Sequence, residues 1–415
     1  MRILIAGTTY FPAMNGQAVF TVNLAEGLVK SGHEVMVAIP SERDHAYHEV
    51  RNGVQIEGQR SISMKRLHPE AALPFFSFKA IRRMFDDFQP DVIHIQDHYP
   101  LSQAVLWEAK RRGIQSMGTN HFMPENLAPY ARWISRFSKL FDWILWRWAF
   151  LTYNQLNAVT APSRTAAALM RQKGLKTAAV PVSNGIDLAR FHPDPQADRA
   201  SICAHYALDP VRKTILFVGR VDAEKRLDVL LNAFRILDRE DVQLVIAGYG
   251  AALADLKILA ANLGVSERVR FPGFIPGEDL PTLLHCADLF AMPGEAELQS
   301  IATLEAMASG LPILAANAVA LPELVSDQVN GILFRPGDAA DAARGLAWML
   351  ESPQRLKEMS VASLEKIQPH SLQNTIQRYE TLYESILGGS VLNFSDQGRL
   401  HSTKKRRSSV SNKYI

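Results

Sequence analysis

Residues 214–250 read TILFVGRVDAEKRLDVLLNAFRILDREDVQLVIAGYG, and this stretch indicates the fold. TILFVGR (214–220) and VQLVIAGYG (242–250) are short apolar runs that are typical of buried strands, and LDVLLNAFRIL between them is typical of a helix. A strand, a helix and a second strand in this order predict one unit of a parallel sheet.

The same alternation continues on both sides of this stretch. Turn formers in VSNGIDLARFHPDP (182–195) interrupt it, so we interpret this segment as a linker between two halves. The sequence therefore predicts two doubly wound α/β halves that face each other, with ligands bound in the cleft at the carboxyl ends of the strands. The other predicted strands are 2–7, 34–40, 90–96, 114–121, 157–163, 268–274, 288–293 and 311–317.

Length and cysteine content restrict the class of protein. The 415 residues exceed the roughly 250–300 at which a single core stops growing, which favours two domains. Cys203 and Cys286 are the only cysteines, so we expect neither a disulfide framework nor a zinc cluster, and a reducing cytoplasm is consistent with this scarcity. No apolar run approaches the ~20 residues that cross a bilayer, and the first residues lack the apolar region of a signal peptide. These features predict a cytoplasmic protein.

Positive charge is concentrated at the end of the chain, although the formal net charge is only +3. Residues 388–415 contain six lysines and arginines and a single acidic residue, Asp396, in a polar, serine-rich segment without periodicity. We predict that this segment is disordered. It is either a solvated tail or a weak tether to acidic lipid, and we expect no nucleic acid among the partners.

Charged residues occur where predicted strands end and helices begin. Arg220 follows Gly219 at the end of one strand, with Lys225 five residues further on, and such cations suit a pyrophosphate unless they are solvated surface charges. In AMPGEAELQSIATLEAMASG (291–310), Glu297 lies at or just before a predicted helix, where it either stabilises the helix or contacts a ligand. Glu305 lies in the apolar part of that helix, so it needs either an intrahelical partner or ligand hydroxyls.

Two residues of the first half are further candidates. His121 in TNHFMPEN ends a predicted buried strand, so it is either a structural histidine or part of an active site. Gly16 in FPAMNGQAVF lies where a backbone comes close to a phosphate or sugar, or it simply serves a turn between strand and helix.

Together these motifs resemble those of the retaining family 4 glycosyltransferases of the GT-B fold, especially bacterial glycolipid glycosyltransferases of the diacylglycerol type. The resemblance covers about residues 1–387. It implies an acceptor-side domain at 1–185, a nucleotide-sugar-binding domain at 186–370 and a crossover helix at 371–387 that returns to the first domain. The motifs are YFPAMNGQ, GHEV, PDVIHIQ, TNHF, SNGIDLARFHP, GRVDAEKRLDVLL, IAGYG, FPGF and ELQSIATLEAMASGLPILA, with ALPELV downstream.

The resemblance implies a role for each candidate. Arg220 and Lys225 match the pair that holds the diphosphate and stabilises its leaving charge. Glu297 matches the carboxylate that contacts the transferred sugar, Glu305 the one that binds the ribose hydroxyls, and His121 a histidine near the reaction centre. No Asp-x-Asp metal motif is apparent in the sequence, so we expect no metal and no cofactor besides the donor substrate.

Two motifs depart from the family pattern. The usual pair of glycines in the first loop reads Gly16-Gln17. The usual Glu-x-Phe-Gly run ends in Gln299-Ser300, so a serine replaces the glycine at a backbone–phosphate contact. The donor-binding residues implied by the resemblance are Gly16, Gly219, Phe274, Gln299, Ser300, Ile301 and Glu305.

The segment RWISRFSKLFDWILWRWAF (132–150) contains four of the six tryptophans and is predicted to form a basic amphipathic helix. Such a helix either lies at an anionic membrane surface or packs its apolar stripe into the first domain. The apolar stripe consists of Trp133, Phe137, Leu140, Phe141, Ile144 and Trp148, and the basic stripe of Arg132, Arg136, Lys139 and Arg147.

The sequence thus predicts a retaining, metal-independent glycosyltransferase that is peripheral on the inner face of the cell membrane. The expected donor is a nucleotide-diphosphate hexose, UDP-linked in the leading hypothesis, and the expected acceptor is diacylglycerol or a glycosyl-diacylglycerol. One alternative is a GDP-mannose-dependent mannosyltransferase that acts on a phosphoinositide or a soluble sugar. The other is a protein that binds nucleotide sugars without turnover.

Overall fold

The structure is a computed structural model of the chain and describes residues 1–13, 15–43, 45–63, 72–74, 77–121, 123, 138–394 and 400–404. The chain divides into two compact units. The first contains most of residues 1–182 and the chain from Thr375 onwards, and the second contains Ser183–Asn374. Each unit has its own parallel sheet accompanied by helices, which confirms the predicted fold class.

Short apolar segments form most strands of the first unit, because their side chains are buried within it. In chain order the strands are β1 (Arg2–Ala6), β2 (Glu34–Pro40), β3 (Tyr47–Arg51), β4 (Val54–Gln59), β5 (Ser61–Ser63), β6 (Ala72–Pro74), β7 (Val92–Ile95), β8 (Gln115–Thr119), β9 (Ala158–Ala161) and β10 (Ala179–Pro181). The main sheet has the order β10-β9-β8-β7-β1-β2-β4-β3 and is parallel except for β3, which pairs antiparallel with β4. Sequence did not predict β3, whose exposed side chains alternate with half-buried ones.

Polar caps mark where helices of the first half begin. Asn15, Ser77 and Ser163 each accept a hydrogen bond from the backbone N–H three residues later, which satisfies one free donor of the first turn. The helices are α1 (Gly16–Lys30), α2 (Phe78–Phe88), α3 (Pro100–Arg111), α4 (Ser138–Tyr153) and α5 (Arg164–Lys173).

The second unit repeats the alternation of strand and helix. Its elements are α6 (Arg199–His205), β11 (Lys213–Val218), α7 (Leu227–Leu237), β12 (Val242–Ala247), α8 (Leu253–Asn262), β13 (Val269–Gly273), α9 (Leu280–His285), β14 (Leu289–Met292), α10 (Ile301–Ala308), β15 (Ile313–Ala316), α11 (Leu321–Leu324), β16 (Gly331–Phe334), α12 (Ala339–Leu350) and α13 (Pro353–Ile367). The sheet is parallel, in the order β13-β12-β11-β14-β15-β16. The strand order therefore reverses between β11 and β14, where doubly wound sheets bind ligands.

The last described segments belong to the first unit. Helix α14 (Leu372–Leu387) bonds to that unit, because Tyr383 contacts His94 at 2.8 Å and Glu380 contacts His33 at 2.9 Å. Beyond it, β17 (Ser390–Phe394) and β18 (Leu400–Lys404) pair antiparallel. These two strands differ from the disorder predicted for 388–415, since backbone pairing satisfies the N–H and C=O groups that face the partner strand in spite of the polar composition.

Candidate active site

The predicted donor residues of the second unit lie at the carboxyl ends of its strands. Gly219 directly follows β11 with a φ of 153°, a conformation that favours glycine. The loop after β12 packs against it so closely that a Cβ on Gly248 would lie 1.8 Å from the Gly219 carbonyl oxygen. The two glycines therefore allow the loops after β11 and β12 to touch backbone to backbone.

Arg220 is held by carboxylates of its own loop. Its guanidinium donates to Asp222 at 2.9 Å and to Glu224 at 2.6 Å. Glu224 is largely buried, and its Oε2 has no hydrogen-bond partner among the described residues. Sequence analysis named Arg220 but missed these partners, although the acidic residues two and four positions further on were a visible signal.

Lys225 connects the ends of β11 and β14. Its Nζ lies 2.5 Å from Glu297 Oε1, and the neighbouring Arg226 bonds to Glu295 at the same distance. Burial would lower the pKa of Lys225, but the charges of Glu297 and Glu224 outweigh burial, so its pKa is raised and the ammonium stays charged. The structure thus brings together two residues that are far apart in sequence and were predicted to share one site.

The helix start beside Glu297 is capped by the serine that departs from the family pattern. Ser300 Oγ accepts a hydrogen bond from the N–H of Thr303 at 3.2 Å. The N–H groups of Ile301 and Ala302 have no partner within the helix, which leaves a positive end for an anion. Gln299 is turned elsewhere, because its Oε1 accepts hydrogen bonds from Asn184 and Ser183.

Glu305 and Phe274 are half-buried and exposed, respectively. Burial raises the pKa of Glu305 to about 7, against a smaller opposing effect of Arg190. Within the described residues no hydrogen bond engages its carboxyl group. Phe274 directly follows β13, is 50% exposed and makes an edge-to-face contact with Tyr249 at 6.0 Å between ring centres. Tyr249 was missed in sequence, where it appeared only as part of IAGYG.

Of the two candidates of the first unit, His121 contacts the uncharged side chains of Gln96 and Phe20. His121 follows β8, and its Nε2 lies 3.0 Å from Gln96 Oε1. Burial lowers the pKa of His121 to about 3, so the ring is neutral and can exchange hydrogen bonds with hydroxyls. Gly16 is the first residue of α1, which is capped by Asn15.

Asp97, two residues after β7, organises the loop before Gly16. Its Oδ2 accepts hydrogen bonds from the Thr8 N–H at 2.6 Å and from Gln17 Nε2 at 3.0 Å. Its Oδ1 accepts one from the Ser102 hydroxyl at 2.7 Å. Gln17, which replaces the second glycine of the family motif, is therefore an anchor of this loop.

Helix α4 exposes most of its apolar surface on one face. Trp143 is 60% and Leu151 is 62% exposed, with Ile144 and Arg147 beside them, whereas Trp146 is buried. The buried face continues through Ala149, Phe150 and Tyr153, so the packed face is not the stripe that was predicted from the sequence. Residues 132–137 lie outside the described residues, as do 395–399 and 405–415.

Within the part of the chain that the structure describes, every helix is too short or too polar to span a bilayer. Over the same ranges, no three His, Cys, Asp or Glu side chains are grouped so that they could hold a metal ion. Metal independence stays a prediction.

Family models match both halves of the chain. The model described as "Glycosyltransferase Family 4" matches residues 14–190, and the one described as "Glycosyl transferases group 1" matches residues 198–365. The chain is 28% identical over 354 residues to the alpha-monoglucosyldiacylglycerol synthase of Streptococcus pneumoniae, across 80% of this chain and 75% of that protein. It is 27% identical over 376 residues to the GDP-mannose-dependent alpha-mannosyltransferase of Corynebacterium glutamicum, across 88% and 84%.

Solved structures share the fold at lower identity. Sucrose-phosphate synthase from Thermosynechococcus elongatus matches with a TM-score of 0.76 and 20% identity, over 94% of this chain and all of that one. HepE of Anabaena in complex with UDP-glucose matches with a TM-score of 0.73 and 19% identity, over 92% of this chain and all of that one.

Proposed function

This chain belongs to the family 4 glycosyltransferases of the GT-B fold, and we propose that it moves a hexose from a UDP-linked donor to a membrane lipid such as diacylglycerol or a glycosyl-diacylglycerol. The transfer retains the configuration at the anomeric carbon and requires no metal ion. The observation that carries this proposal is the Lys225–Glu297 pair at the point where the strand order of the second sheet reverses. A diphosphate and a sugar are the ligand groups that such a cation and carboxylate suit.

In the proposed reaction the donor diphosphate replaces the carboxylates that now hold the cations. Arg220 and Lys225 then neutralise the charge that develops on the leaving group, and the N–H groups at the start of α10 add to this stabilisation. Glu297, once released from Lys225, accepts hydrogen bonds from the sugar. As the bond between the anomeric carbon and the diphosphate oxygen breaks, the acceptor hydroxyl attacks that carbon on the face that the leaving group vacates and gives its proton to the departing phosphate oxygen.

Glu305 and the aromatic pair serve the nucleoside in this proposal. The carboxylate of Glu305 accepts hydrogen bonds from the ribose hydroxyls, which compensates for its burial. Phe274 and Tyr249 present ring surface beside the loops that hold the diphosphate. A UDP-linked donor is supported by the UDP-glucose complex of HepE, which has the same fold.

A lipid acceptor is supported by exposed aromatic and basic side chains. On α4, Trp143, Ile144 and Leu151 share an exposed face with Arg147, a combination that favours an anionic membrane surface. On α2 and α3, Phe78 and Trp107 are exposed and contact each other edge to face. The exposed Lys79, Arg82 and Arg83 lie on the same helix as Phe78. The 28% identity to a glucosyldiacylglycerol synthase is consistent with such an acceptor.

The second candidate function is mannosyl transfer from GDP-mannose to a phosphoinositide or a soluble sugar. It is favoured by the similarity to the GDP-mannose-dependent alpha-mannosyltransferase, which extends over more of the chain than the similarity to the alpha-monoglucosyldiacylglycerol synthase. Both candidate functions use the same cations and carboxylates, so the described contacts favour neither a UDP-linked nor a GDP-linked donor.

A transfer assay with a donor and acceptor panel tests the proposal. Purified full-length protein is incubated with labelled UDP- and GDP-hexoses and with vesicles of diacylglycerol, vesicles of phosphatidylinositol or soluble sugars. We expect a labelled glycolipid from a UDP-hexose, with an α-linkage from an α-linked donor by NMR. Labelled product only from GDP-mannose would support the second candidate. Donor binding without transfer or hydrolysis anywhere in the panel would refute both.

A further inference from the structure

Gln299 lies in the donor loop, which we define as the chain between Met292 and Ile301, and connects it to the segment where the chain enters the second unit. Its Oε1 accepts hydrogen bonds from the backbone N–H of Asn184 at 2.7 Å and from the hydroxyl of Ser183 at 3.2 Å. Gln299 is 9% and Asn184 is 6% exposed, so water has little access to replace these bonds. Leaving the buried N–H of Asn184 without an acceptor is costly, which fixes the position of the amide oxygen.

The segment by which the chain leaves the second unit joins the same network. His370 Nδ1 lies 2.9 Å from Ser183 Oγ. The N–H of Ile186 donates to the carbonyl of His370, and the N–H of Leu372 donates to that of Ile186. Because the Ser183 hydroxyl has one hydrogen and gives it to Gln299, Nδ1 of His370 is the donor to Ser183. Gln299 is thus bonded to a pair of chain segments that stabilise each other.

Two other side-chain anchors of the donor loop depend on cations that surround the proposed donor site. Between Met292 and Ile301 the chain has no regular secondary structure. Lys225 holds Glu297, and Arg226 holds Glu295. A bound diphosphate competes with Glu297 for Lys225, so the first of these anchors weakens when the site is filled. The bonds of Gln299 involve no cation and persist.

Resting on the proposed function, we propose that Gln299 is a positioning residue that keeps Glu297 in place, through Ser183 and Asn184, while the donor diphosphate occupies Lys225. In the free protein Glu297 is held by Lys225, through Gln299 and by a backbone hydrogen bond to its carbonyl. In the donor complex it is held through Gln299 and by the N–H of Ala320, which donates to its carbonyl. Loss of Gln299 therefore acts on turnover more than on donor affinity.

Steady-state kinetics of Gln299→Leu and Gln299→Glu test this role. The leucine variant removes the acceptor, whereas the glutamate variant keeps an oxygen that accepts from both donors. We expect Gln299→Leu to lower kcat about 10–100-fold with a donor KM within about threefold of wild type, as small displacements of a reacting group do. Gln299→Glu should recover most of this loss. Gln354→Leu on α13 is the matched control and should match wild type, because within the described part of the chain that glutamine side chain bonds only to exposed Glu358.

Additional variants keep the test valid if Gln299→Leu unfolds. Ser183→Ala removes one of the two donors, so it should lower kcat several-fold at unchanged donor KM, and Ser183→Ala/Gln299→Leu should be no slower than Gln299→Leu alone. Full activity of Gln299→Leu, failure of Gln299→Glu to recover, or an effect mainly on donor KM would overturn the role. A wild-type protein that transfers from no donor would instead refute the proposed function.

Discussion

At the carboxyl edge of the second sheet, β11 and β14 end in ion pairs, whereas at the carboxyl edge of the first sheet β8 ends near a neutral histidine. Lys225 and Glu297 meet at 2.5 Å, and burial has not neutralised Lys225. His121 instead bonds to the Gln96 amide, and burial keeps it uncharged. Two sheets of similar topology therefore differ in what their edges can bind: the second suits a diphosphate, and the first suits hydroxyl groups.

Removing a cation from the carboxyl edge of the second sheet, which we call the charged edge, should have the largest effect on turnover. We expect Arg220→Ala to lower kcat about 10²–10³-fold with a smaller change in donor KM, because the guanidinium acts on charge that develops as the diphosphate leaves. Steady-state kinetics against donor concentration measure both parameters. Arg235→Ala is the control, since among the described residues that exposed arginine at the end of α7 pairs only with Asp238. Equal changes in kcat and KM would contradict a role in the transition state.

The charged edge should also determine how donor binding depends on pH. Burial raises the pKa of Glu305 to about 7, so lowering the pH from 8 to 6 protonates it. We expect UDP affinity to fall about tenfold over this range, because one unit below its pKa a carboxyl group is about one-tenth ionised. Isothermal titration calorimetry of Glu305→Gln should give weak binding that no longer changes with pH. His121→Asn should keep the wild-type pH dependence of UDP binding. If His121→Asn lost this dependence, the assignment of the titration to Glu305 would be contradicted.

The same titration of Glu305 should affect stability in the opposite direction, because a rise in pH that strengthens UDP binding lowers the free energy of unfolding. The pKa of Glu305 is higher in the folded protein than the ordinary value of 4.5, so its stabilising contribution is complete below that value and is lost as the pH rises through about 7. Glu305→Gln should therefore raise Tm at pH 8 and leave it nearly unchanged at pH 5. Thermal unfolding at both pH values checks this. A difference in Tm that is equal at both would contradict the raised pKa.

Sequence analysis predicted the fold and named Arg220, Lys225 and Glu297 as candidates, because both steps depend on local patterns, and the roles of these residues stay predictions. Apolar runs gave the strands that carry Arg220 and Glu297, and the motif spacing gave Lys225. The partners of these residues depend on tertiary contacts between segments distant in sequence, which periodicity does not encode. For this reason the bonds from Gln299 to Ser183 and Asn184 were not anticipated.

A further difference between prediction and structure concerns which face of helix α4 is buried. A helical pattern was predicted at 132–150, but the stripe named from the sequence, which includes Leu140, Ile144 and Trp148, is exposed on α4. Aromatic residues occur all around the helix, so periodicity alone does not identify the face that packs. The structure buries Trp146 and exposes Trp143. Ser300 illustrates a signal that was available: a serine three residues before Thr303 at a helix start is a common cap.

Membrane binding should be less sensitive to single substitutions than catalysis. We expect Trp143→Ser to weaken binding to anionic vesicles about fivefold, since it removes one large apolar side chain from a face that has several. Flotation with vesicles that contain or lack anionic lipid measures this. Val361→Ser on α13, which removes a similarly exposed apolar side chain, is the control. Equal binding of wild type and Trp143→Ser would contradict docking through α4.

Chelation of divalent cations should have the smallest effect, and it tests whether the charged edge is sufficient by itself. Arg220 and Lys225 together bring two positive charges to the proposed diphosphate, as one Mg²⁺ would, and the start of α10 adds N–H donors. We therefore expect excess EDTA to change kcat less than about twofold relative to added magnesium. In Lys225→Ala one of these charges is missing, so added magnesium should recover part of the lost rate. A tenfold loss of kcat in the wild type with EDTA would show that the two side chains do not suffice. The charged edge of the second sheet would then need a metal ion in addition to Arg220 and Lys225 to support transfer.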